Sequence, residues 1–241
     1  MKIIIEKNYE SMSTTAMQML LAKMYQHKPN IAITAGATPL KMYELMIEHV
    51  KGKKQFSDVT FHNFDELPYR TKGGYGVTIS NLKKMFFDPA EVPMSQVHIL
   101  DEKNYDKHDD YLQSIGGLDL IVLGIGADGH FCGNLPGMTK FADGTVKVDM
   151  TKFPEYHDIL LHEVDGDENE LPEVTITMGP KAVMSSKELI LFATGESKAA
   201  IIKKAFFGPV DQNVPSSILQ LHPNLTVILD EAAASEIIDL I

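Results

Sequence analysis

The sequence has one cysteine, one arginine and no tryptophan among its 241 residues. Because Cys132 stands alone, no disulfide can form within the chain, and we expect a reducing, cytoplasmic setting. No apolar run approaches the roughly 20 residues of a membrane-spanning helix, so we predict no membrane partner. The formal net charge of −11 argues against non-specific nucleic-acid binding, which needs a basic surface. His-x-x-x-His and Cys-x-x-Cys spacings are absent, so we predict no metal site.

Short apolar runs typical of strands alternate along the chain with segments whose apolar residues recur at helical spacing. The predicted strands span residues 3–5, 31–34, 59–64, 97–100, 118–123, 173–178, 189–193 and 225–229. The predicted helices span residues 9–26, 81–87, 105–115, 197–207 and 231–240, with a further helix beginning at Pro39. Turn-rich stretches at 133–149 and 165–171 are expected to be loops. The alternation predicts an α/β fold: a mostly parallel, doubly wound (Rossmann-like) sheet with helices on both faces, in a single domain over residues 1–241.

The segment LGIGADGH, residues 123–130, follows one of these apolar runs. Its glycines, Gly126 and Gly129 among them, let a ligand approach the backbone closely. Asp128 and His130 supply an acid and an imidazole that can move protons near neutral pH. Ligands of parallel α/β sheets bind at the carboxyl ends of strands, so we predict a small-molecule active site here. The alternative is a plain glycine turn with a solvated acid and histidine.

The same segment matches the dinucleotide pattern G-x-G-x-x-G. That pattern requires a helix to open directly after it, so that the helix amides meet the pyrophosphate. Gly133, Pro136 and Gly137 follow instead, and these residues disfavour a helix. We therefore predict no nicotinamide cofactor, and the sequence implies no other cofactor.

Two further turns follow predicted strands and open predicted helices, as anion-binding turns do. In the first, Gly36 and Ala37 precede Thr38, a good N-cap residue, and Pro39 suits the first helical position. In the second, Lys198 lies in a first helical turn, where its charge opposes the helix dipole unless an anion is nearby. We predict that both turns bind a phosphate; the alternatives are a ligand-free helix start and a solvated lysine.

Asp65 and Glu66 come at the end of the predicted strand at 59–64. A carboxylate at a strand end can act as a base on carbon-bound or hydroxyl protons, although an isolated Asp-Glu pair is more commonly a solvated turn. Arg70 follows shortly afterwards, and its rigid guanidinium suits a carboxylate or a phosphate. We predict Asp65 as a catalytic residue, and Glu66 and Arg70 as substrate-binding candidates.

Five segments, in this order, resemble the glucosamine-6-phosphate deaminase and 6-phosphogluconolactonase superfamily, over nearly the whole chain. They are TAGATP at 34–39, NFDE at 63–66, LGIGADGH at 123–130, GESKA at 195–199 and SILQLHP at 217–223. The Asp-Glu pair and the LQLHP stretch are closer to the deaminase branch.

The resemblance implies a sugar 6-phosphate as the small-molecule substrate. Asp65 would then shuttle a proton between C1 and C2, and His130, oriented by Asp128, would open the pyranose ring. Thr38, with the turn around it, and Lys198 would hold the phosphate.

The deaminase motif continues to Asn-Glu-Pro, whereas this sequence has Leu135 between Asn134 and Pro136. A leucine cannot polarise an imidazole or accept a proton, and lactonases also lack a carboxylate there. Three functions stay open: an amino-sugar 6-phosphate isomerase/deaminase of carbohydrate metabolism, a 6-phosphogluconolactonase-like hydrolase, and a non-catalytic sugar-phosphate sensor. The oligomeric state is open too, homo-oligomers included.

Overall fold

A parallel sheet of seven strands runs through the computed structural model, which describes residues 1–241. The strands of the structure are β1 (Lys2–Glu6), β2 (Asn30–Ala32), β3 (Thr60–His62), β4 (Asp65–Glu66), β5 (Val97–His98), β6 (Leu120–Leu123), β7 (Thr145–Asp149), β8 (Val174–Met178), β9 (Leu189–Ala193) and β10 (Leu225–Asp230). Seven of them pair in the order β1-β10-β9-β6-β2-β3-β5, and all six of those pairings are parallel. The other three form a small antiparallel sheet in the order β4-β8-β7.

Helices fill most of the connections between these strands. They are α1 (Tyr9–Met24), α2 (Leu40–Val50), α3 (Val77–Leu82), α4 (His108–Ser114), α5 (His157–Glu163), α6 (Pro180–Met184) and α7 (Ala199–Phe207). A π-helical turn, Lys83–Phe87, continues α3. None of these helices combines the length and the apolar character that crossing a membrane requires.

The central strand β6 shows why both faces of the sheet are covered. Successive side chains of a strand point to opposite faces, and all four residues of β6 are buried apolar residues. Ile121 and Leu123 pack into one apolar cluster, and Leu120 and Val122 pack into the other. Full burial of such side chains contributes about 1.5–3 kcal/mol each. The predicted α/β fold with a mostly parallel sheet and two covered faces is confirmed.

The predicted final helix at 231–240 is wrong. The segment forms a series of turns that ends in a 3₁₀ turn, Ile238–Leu240. The Asp230 carboxylate accepts the Ala233 amide at 2.8 Å, and later amides bond three residues back, as Ile237 does to Ala234. Three residues of the segment are buried in the core: Ala233, Ala234 and Ile237. Their packing stabilises these turns in place of the hydrogen bonds of a helix.

Two other local predictions need correction. The stretch at 133–149, predicted as a loop, contains β7, which pairs with β8 of the small sheet. The helix expected to begin at Pro39 has Pro39 as its N-cap residue and starts at Leu40, with no side-chain cap. Thr38 therefore lies one residue outside the helix and does not cap it.

Three histidines lie together beside the edge strand β5. The ring centroids of His62 and His98 are 5.4 Å apart, and those of His98 and His108 are 6.0 Å apart. Tyr111 stacks on His98 at 3.7 Å. Neither ring nitrogen of His108 has a hydrogen-bond partner within the chain, and burial lowers the pKa of His108 to about 4 and that of His62 to about 3. The fold thus requires these two rings to be neutral.

We expect His108→Leu to stabilise the protein, and to do so more at pH 5 than at pH 8. At pH 8 the gain is about 1–2 kcal/mol, because two unsatisfied buried nitrogens are removed. Below the pKa of about 6.5 that His108 has in the unfolded chain, the unfolded chain binds a proton that the folded protein does not. The free energy of unfolding of wild type therefore decreases as the pH falls below this value. The leucine variant has no such group, so its stability advantage over wild type grows by about 2 kcal/mol at pH 5. Urea unfolding at both pH values measures the gain. The exposed His49→Leu serves as the control, and an equal gain at both pH values would contradict the prediction.

Candidate active site

A cavity of about 470 Å³ opens at the carboxyl ends of several strands of the parallel sheet. Its walls come from the turn after β2, the turn after β6 and the residue Lys198 after β9, together with β4, α3 and α5. Open α/β sheets bind ligands at this edge. The volume lies in the range of small-molecule sites, which is about 300–1,000 Å³.

His130 and Asp128 form a close pair in the turn after β6. The Nδ1 atom of His130 lies 2.7 Å from Oδ1 of Asp128, and the same oxygen accepts the His130 backbone amide at 3.1 Å. Burial raises the pKa of Asp128, but the hydrogen bond from His130 outweighs it, so the pKa lies below its usual value. The pair holds the imidazole in one orientation with the other ring nitrogen free for chemistry, as in carboxylate–histidine pairs generally.

Gly126 is required by the close approach of this pair to the turn. A Cβ atom at residue 126 would lie 2.1 Å from Nδ1 of His130 and 2.5 Å from Oδ1 of Asp128. No helix follows the turn, and residues 130–144 contain only turns and irregular backbone outside an isolated bridge. Gly126 therefore makes room for the Asp128–His130 pair rather than for a pyrophosphate at a helix start.

Asp65 lies in the cavity wall because β4 pairs with β8 of the small sheet. Its Oδ1 atom accepts a hydrogen bond from the Thr78 hydroxyl at 3.2 Å. Burial raises the pKa of Asp65 to about 7, the charge of Glu163 adds to the rise, and the Thr78 hydrogen bond and His130 oppose it. A carboxyl group with this pKa can both accept and return a proton near neutral pH.

The predicted phosphate-binding elements lie in the wall of the same cavity. Gly36, Ala37 and Thr38 line it, and the Tyr9 hydroxyl of α1 fixes their turn by donating to the Thr38 carbonyl at 3.1 Å. Lys198 lines it too, and its Nζ atom donates to the Ile125 carbonyl at 2.7 Å. Burial lowers the pKa of Lys198, and the charge of Asp128 counteracts this. A half-buried ammonium and a turn with free amides suit a phosphate group.

Asp230, at the end of β10, fixes the turn that carries Lys198. Its buried carboxylate accepts the Thr194 hydroxyl and the Gly195 amide, the latter at 3.0 Å. Gly195 has φ of +89°, a conformation that favours glycine. The turn after β9 is therefore held from the neighbouring strand.

We expect Asp230→Asn to lower the free energy of unfolding by about 2 kcal/mol, because a buried carboxylate bonded to several donors loses its charge and one acceptor oxygen. Affinity for a sugar phosphate should fall as well, since the turn that carries Lys198 loosens. Urea unfolding and a calorimetric titration with glucose 6-phosphate measure the two effects. Asp110→Asn, an exposed change of the same kind, is the control; unchanged stability in Asp230→Asn would count against this role.

Three predicted substrate-binding residues lie outside the cavity wall. The buried Glu66 accepts the Thr78 and Ile79 amides at 2.7 and 3.2 Å, so its carboxylate caps the start of α3. Gly129 backs onto hydrophobic side chains behind the turn after β6. Arg70 is exposed, and its Nε atom lies 3.4 Å from the Glu173 carboxylate. Two of these residues affect the site indirectly. Glu66 caps the start of α3, and Gly129 belongs to the turn after β6; both elements form part of the cavity wall.

Sequence reasoning missed several residues of the cavity wall. Thr78, Cys132 and Glu163 line it. Leu135, which the sequence already placed at the position of the motif glutamate, lines it too. Cys132 has φ of +49°, and burial, with a smaller contribution from Asp65, raises its pKa well above the usual value. Cys132 lies two residues after the LGIGADGH segment, so its place in the cavity wall could have been inferred. No pattern in the sequence points to Glu163.

Comparisons with known proteins identify the family of this chain. A sequence profile of the family described as glucosamine-6-phosphate isomerases/6-phosphogluconolactonase matches residues 6–228. The chain belongs to this family. The predicted resemblance is therefore confirmed.

Two relatives within the glucosamine-6-phosphate isomerase/6-phosphogluconolactonase family carry the same name. A glucosamine-6-phosphate deaminase of Thermoanaerobacter pseudethanolicus is 33% identical, with 99% of this chain and 96% of that protein covered. The deaminase of Halalkalibacterium halodurans is also 33% identical, with 98% of each chain covered. These relatives are enzymes that act on a sugar phosphate.

Solved structures of the family share the fold. A monomeric glucosamine-6-phosphate deaminase superposes with a TM-score of 0.79 at 25% identity, covering 98% of this chain and 100% of that one. A 6-phosphogluconolactonase from Trypanosoma cruzi superposes with a TM-score of 0.74 at 18% identity, covering 98% and 97%. The fold therefore serves both reactions, and the choice between them depends on the residues of the site.

Proposed function

We propose that the protein converts a 2-amino-2-deoxyhexose 6-phosphate, such as glucosamine or galactosamine 6-phosphate, and water into the ketose 6-phosphate and ammonia. The observation that carries this proposal is Asp65. This half-buried carboxyl group, with a pKa of about 7, lines the same cavity as Lys198 and as His130, the partner of Asp128. Lactone hydrolysis needs no base of this kind, whereas isomerisation across C1 and C2 does. The deaminase relatives at 33% identity support the same choice.

His130 has the chemistry to open the sugar ring. Its imidazole moves the proton of the C1 hydroxyl to the ring oxygen, and the Asp128 carboxylate stabilises the imidazolium form during the transfer. The open-chain aldehyde form then exposes the hydrogen on C2 to a base. Lys198 and the turn of Gly36 to Thr38 hold the phosphate, so the carbon chain extends from them toward Asp65.

Asp65 then takes the C2 hydrogen as a proton and returns one to C1. The C1 oxygen gains a proton and the amino nitrogen loses one, so the double bond shifts from C1–O to C2–N and leaves an imine at C2. Water adds to this imine, and ammonia leaves to give the ketose. The Thr78 hydroxyl, hydrogen-bonded to Oδ1 of Asp65, keeps one carboxylate oxygen occupied and orients the other toward the cavity.

A second candidate function is hydrolysis of a 6-phosphogluconolactone, and Leu135 favours it. Leu135 lines the cavity and is almost fully buried, so the wall near His130 lacks the carboxylate of the deaminase motif. His130 would activate a water molecule there, and Asp65 would have no part in the reaction.

A product analysis tests the proposal. The purified protein is incubated with glucosamine, galactosamine and mannosamine 6-phosphates, with the matching neutral hexose phosphates and with 6-phosphogluconolactone, and products are followed by NMR and an ammonia assay. We expect ammonia and a ketose phosphate from at least one amino sugar. Lactone hydrolysis without ammonia from any of them would establish the second candidate, and binding without turnover would indicate a sensor.

A further inference from the structure

Glu163 is a carboxylate of the cavity wall that the proposed chemistry does not use. It is the last residue of α5, its side chain is exposed and it lines the cavity. Two other acids near this segment, Asp158 and Glu168, lie beside His157 at 3.2 and 3.5 Å. Glu163 has no hydrogen-bond or ion-pair partner within the chain. Its carboxylate is therefore available to a ligand in the cavity.

Besides Cys132, the ionisable residues that line the cavity are Lys198, His130, Asp65 and Glu163. The charge of Glu163 raises the pKa of Asp65 and His130 lowers it, so Asp65 interacts with both groups. Lys198 interacts with Asp128, whose carboxylate is paired with His130. The cavity therefore combines one ammonium, Lys198, with two interacting acids, Asp65 and Glu163.

A ligand that matches these charges carries one anionic and one cationic group. A phosphate suits Lys198, and a group placed beside two interacting carboxylates is most stable as a cation, because it relieves their mutual repulsion. A neutral hydroxyl or a lactone oxygen beside them gains no such stabilisation. Charge complementarity therefore favours an amino sugar phosphate over its neutral analogues.

We propose that Glu163 binds the protonated amino group of the substrate and so determines the preference of the site for an amino sugar phosphate over a neutral one. This inference rests on the proposed function and names the residue responsible for its substrate class. Glu163 also stabilises the ammonium that departs at the end of the reaction. In this role it is a specificity-determining residue, whereas Asp65 carries out the proton transfer.

Binding of two unreactive ligands tests the inference. Both are open-chain alditol 6-phosphates that cannot react; one has an amine at C2 and the other a hydroxyl. Calorimetric titration gives Kd for each ligand with wild type, Glu163→Gln and Glu155→Gln. Glu155 is an exposed acid that precedes α5 and does not line the cavity, so its variant has the same charge change without the same contact.

We expect Glu163→Gln to weaken binding of the amine about tenfold, the size of one charge-assisted hydrogen bond, and to leave binding of the hydroxyl ligand unchanged. Glu155→Gln should change neither. In the reaction, the acidic limb of the pH–rate profile should move to lower pH in Glu163→Gln, because Asp65 loses a neighbouring negative charge that raises its pKa. Glu163 supplies that negative charge. His130, whose effect lowers the pKa of Asp65, is the same in the variant and in wild type.

The outcomes separate this inference from the proposed function. Equal weakening of both ligands by Glu163→Gln, or no weakening of either, overturns the role of Glu163 while ammonia release by wild type still stands. Failure of wild type to bind the amine ligand and to release ammonia overturns the proposed function itself, and the role of Glu163 falls with it.

Discussion

Asp65→Asn is expected to lower kcat for ammonia release by about 10³-fold, since proton transfer by a positioned side chain contributes about 10²- to 10⁴-fold. Asparagine keeps the size of the side chain and can still bond the Thr78 hydroxyl, but it cannot accept the C2 proton. KM should change little, because the phosphate-binding elements are untouched. Steady-state kinetics with an amino sugar 6-phosphate and an ammonia assay measure the effect.

Asp110→Asn provides the control for this variant, because Asp110 is exposed on α4 and away from the cavity. The same protein should also be tested with 6-phosphogluconolactone. If ammonia release survives in Asp65→Asn at a rate near that of wild type, Asp65 is not the base. If lactone hydrolysis is the main activity and is equally fast in wild type and Asp65→Asn, the second candidate function replaces amino sugar deamination.

The pH dependence of kcat follows from the same residue. Asp65 must be ionised to accept a proton, and its pKa of about 7 is raised by burial, so activity should fall as pH drops below about 7. This direction distinguishes Asp65 from an ordinary exposed aspartate, which would hold activity constant down to about pH 4.

His130→Ala is expected to have the second large effect, a loss of about 10²- to 10⁴-fold in kcat/KM. Without the imidazole, the C1 hydroxyl proton has no carrier to the ring oxygen, so the sugar stays mostly in its ring form. Asp128→Asn should produce a smaller loss in the same direction, because the hydrogen bond at 2.7 Å that orients His130 is weakened. Kinetics on the ring-closed substrate compare the variants.

Replacement of His157, a partly exposed histidine of α5 that does not line the cavity, by alanine supplies the matched control. Circular dichroism shows whether the His130→Ala protein is folded. Ammonia release that is unaffected in a folded His130→Ala protein would exclude a role for the imidazole in ring opening.

The strand pattern was predictable because the parallel sheet is buried on both faces. β6 is apolar at every position and lies between two core clusters, so its sequence is a continuous apolar run. The same argument places the glycine-rich turn at its carboxyl end, and with it Asp128 and His130. Local sequence carries these features because they depend on one strand and the turn that follows it.

Other features depend on pairings distant in sequence. Asp65 reaches the cavity through the pairing of β4 with β8, whose partner residue for Asp65 is Thr177. Glu163 reaches it because α5 forms part of the cavity wall, together with Ile159 and Leu160, and no pattern in its own segment signals this. Glu66 shows the opposite case. Its position next to Asp65 suggests a second acid in the site, yet its carboxylate accepts hydrogen bonds from the first amides of α3.

The most direct test of the central claim is deuterium incorporation during turnover by the wild-type protein in heavy water. Proton transfer through Asp65 between C2 and C1 exchanges with solvent, so we predict deuterium at C1 of the ketose 6-phosphate formed from the amino sugar, seen by ¹H NMR together with ammonia release. The absence of both deuterium at C1 and ammonia after prolonged incubation with the amino sugar 6-phosphates would contradict the account.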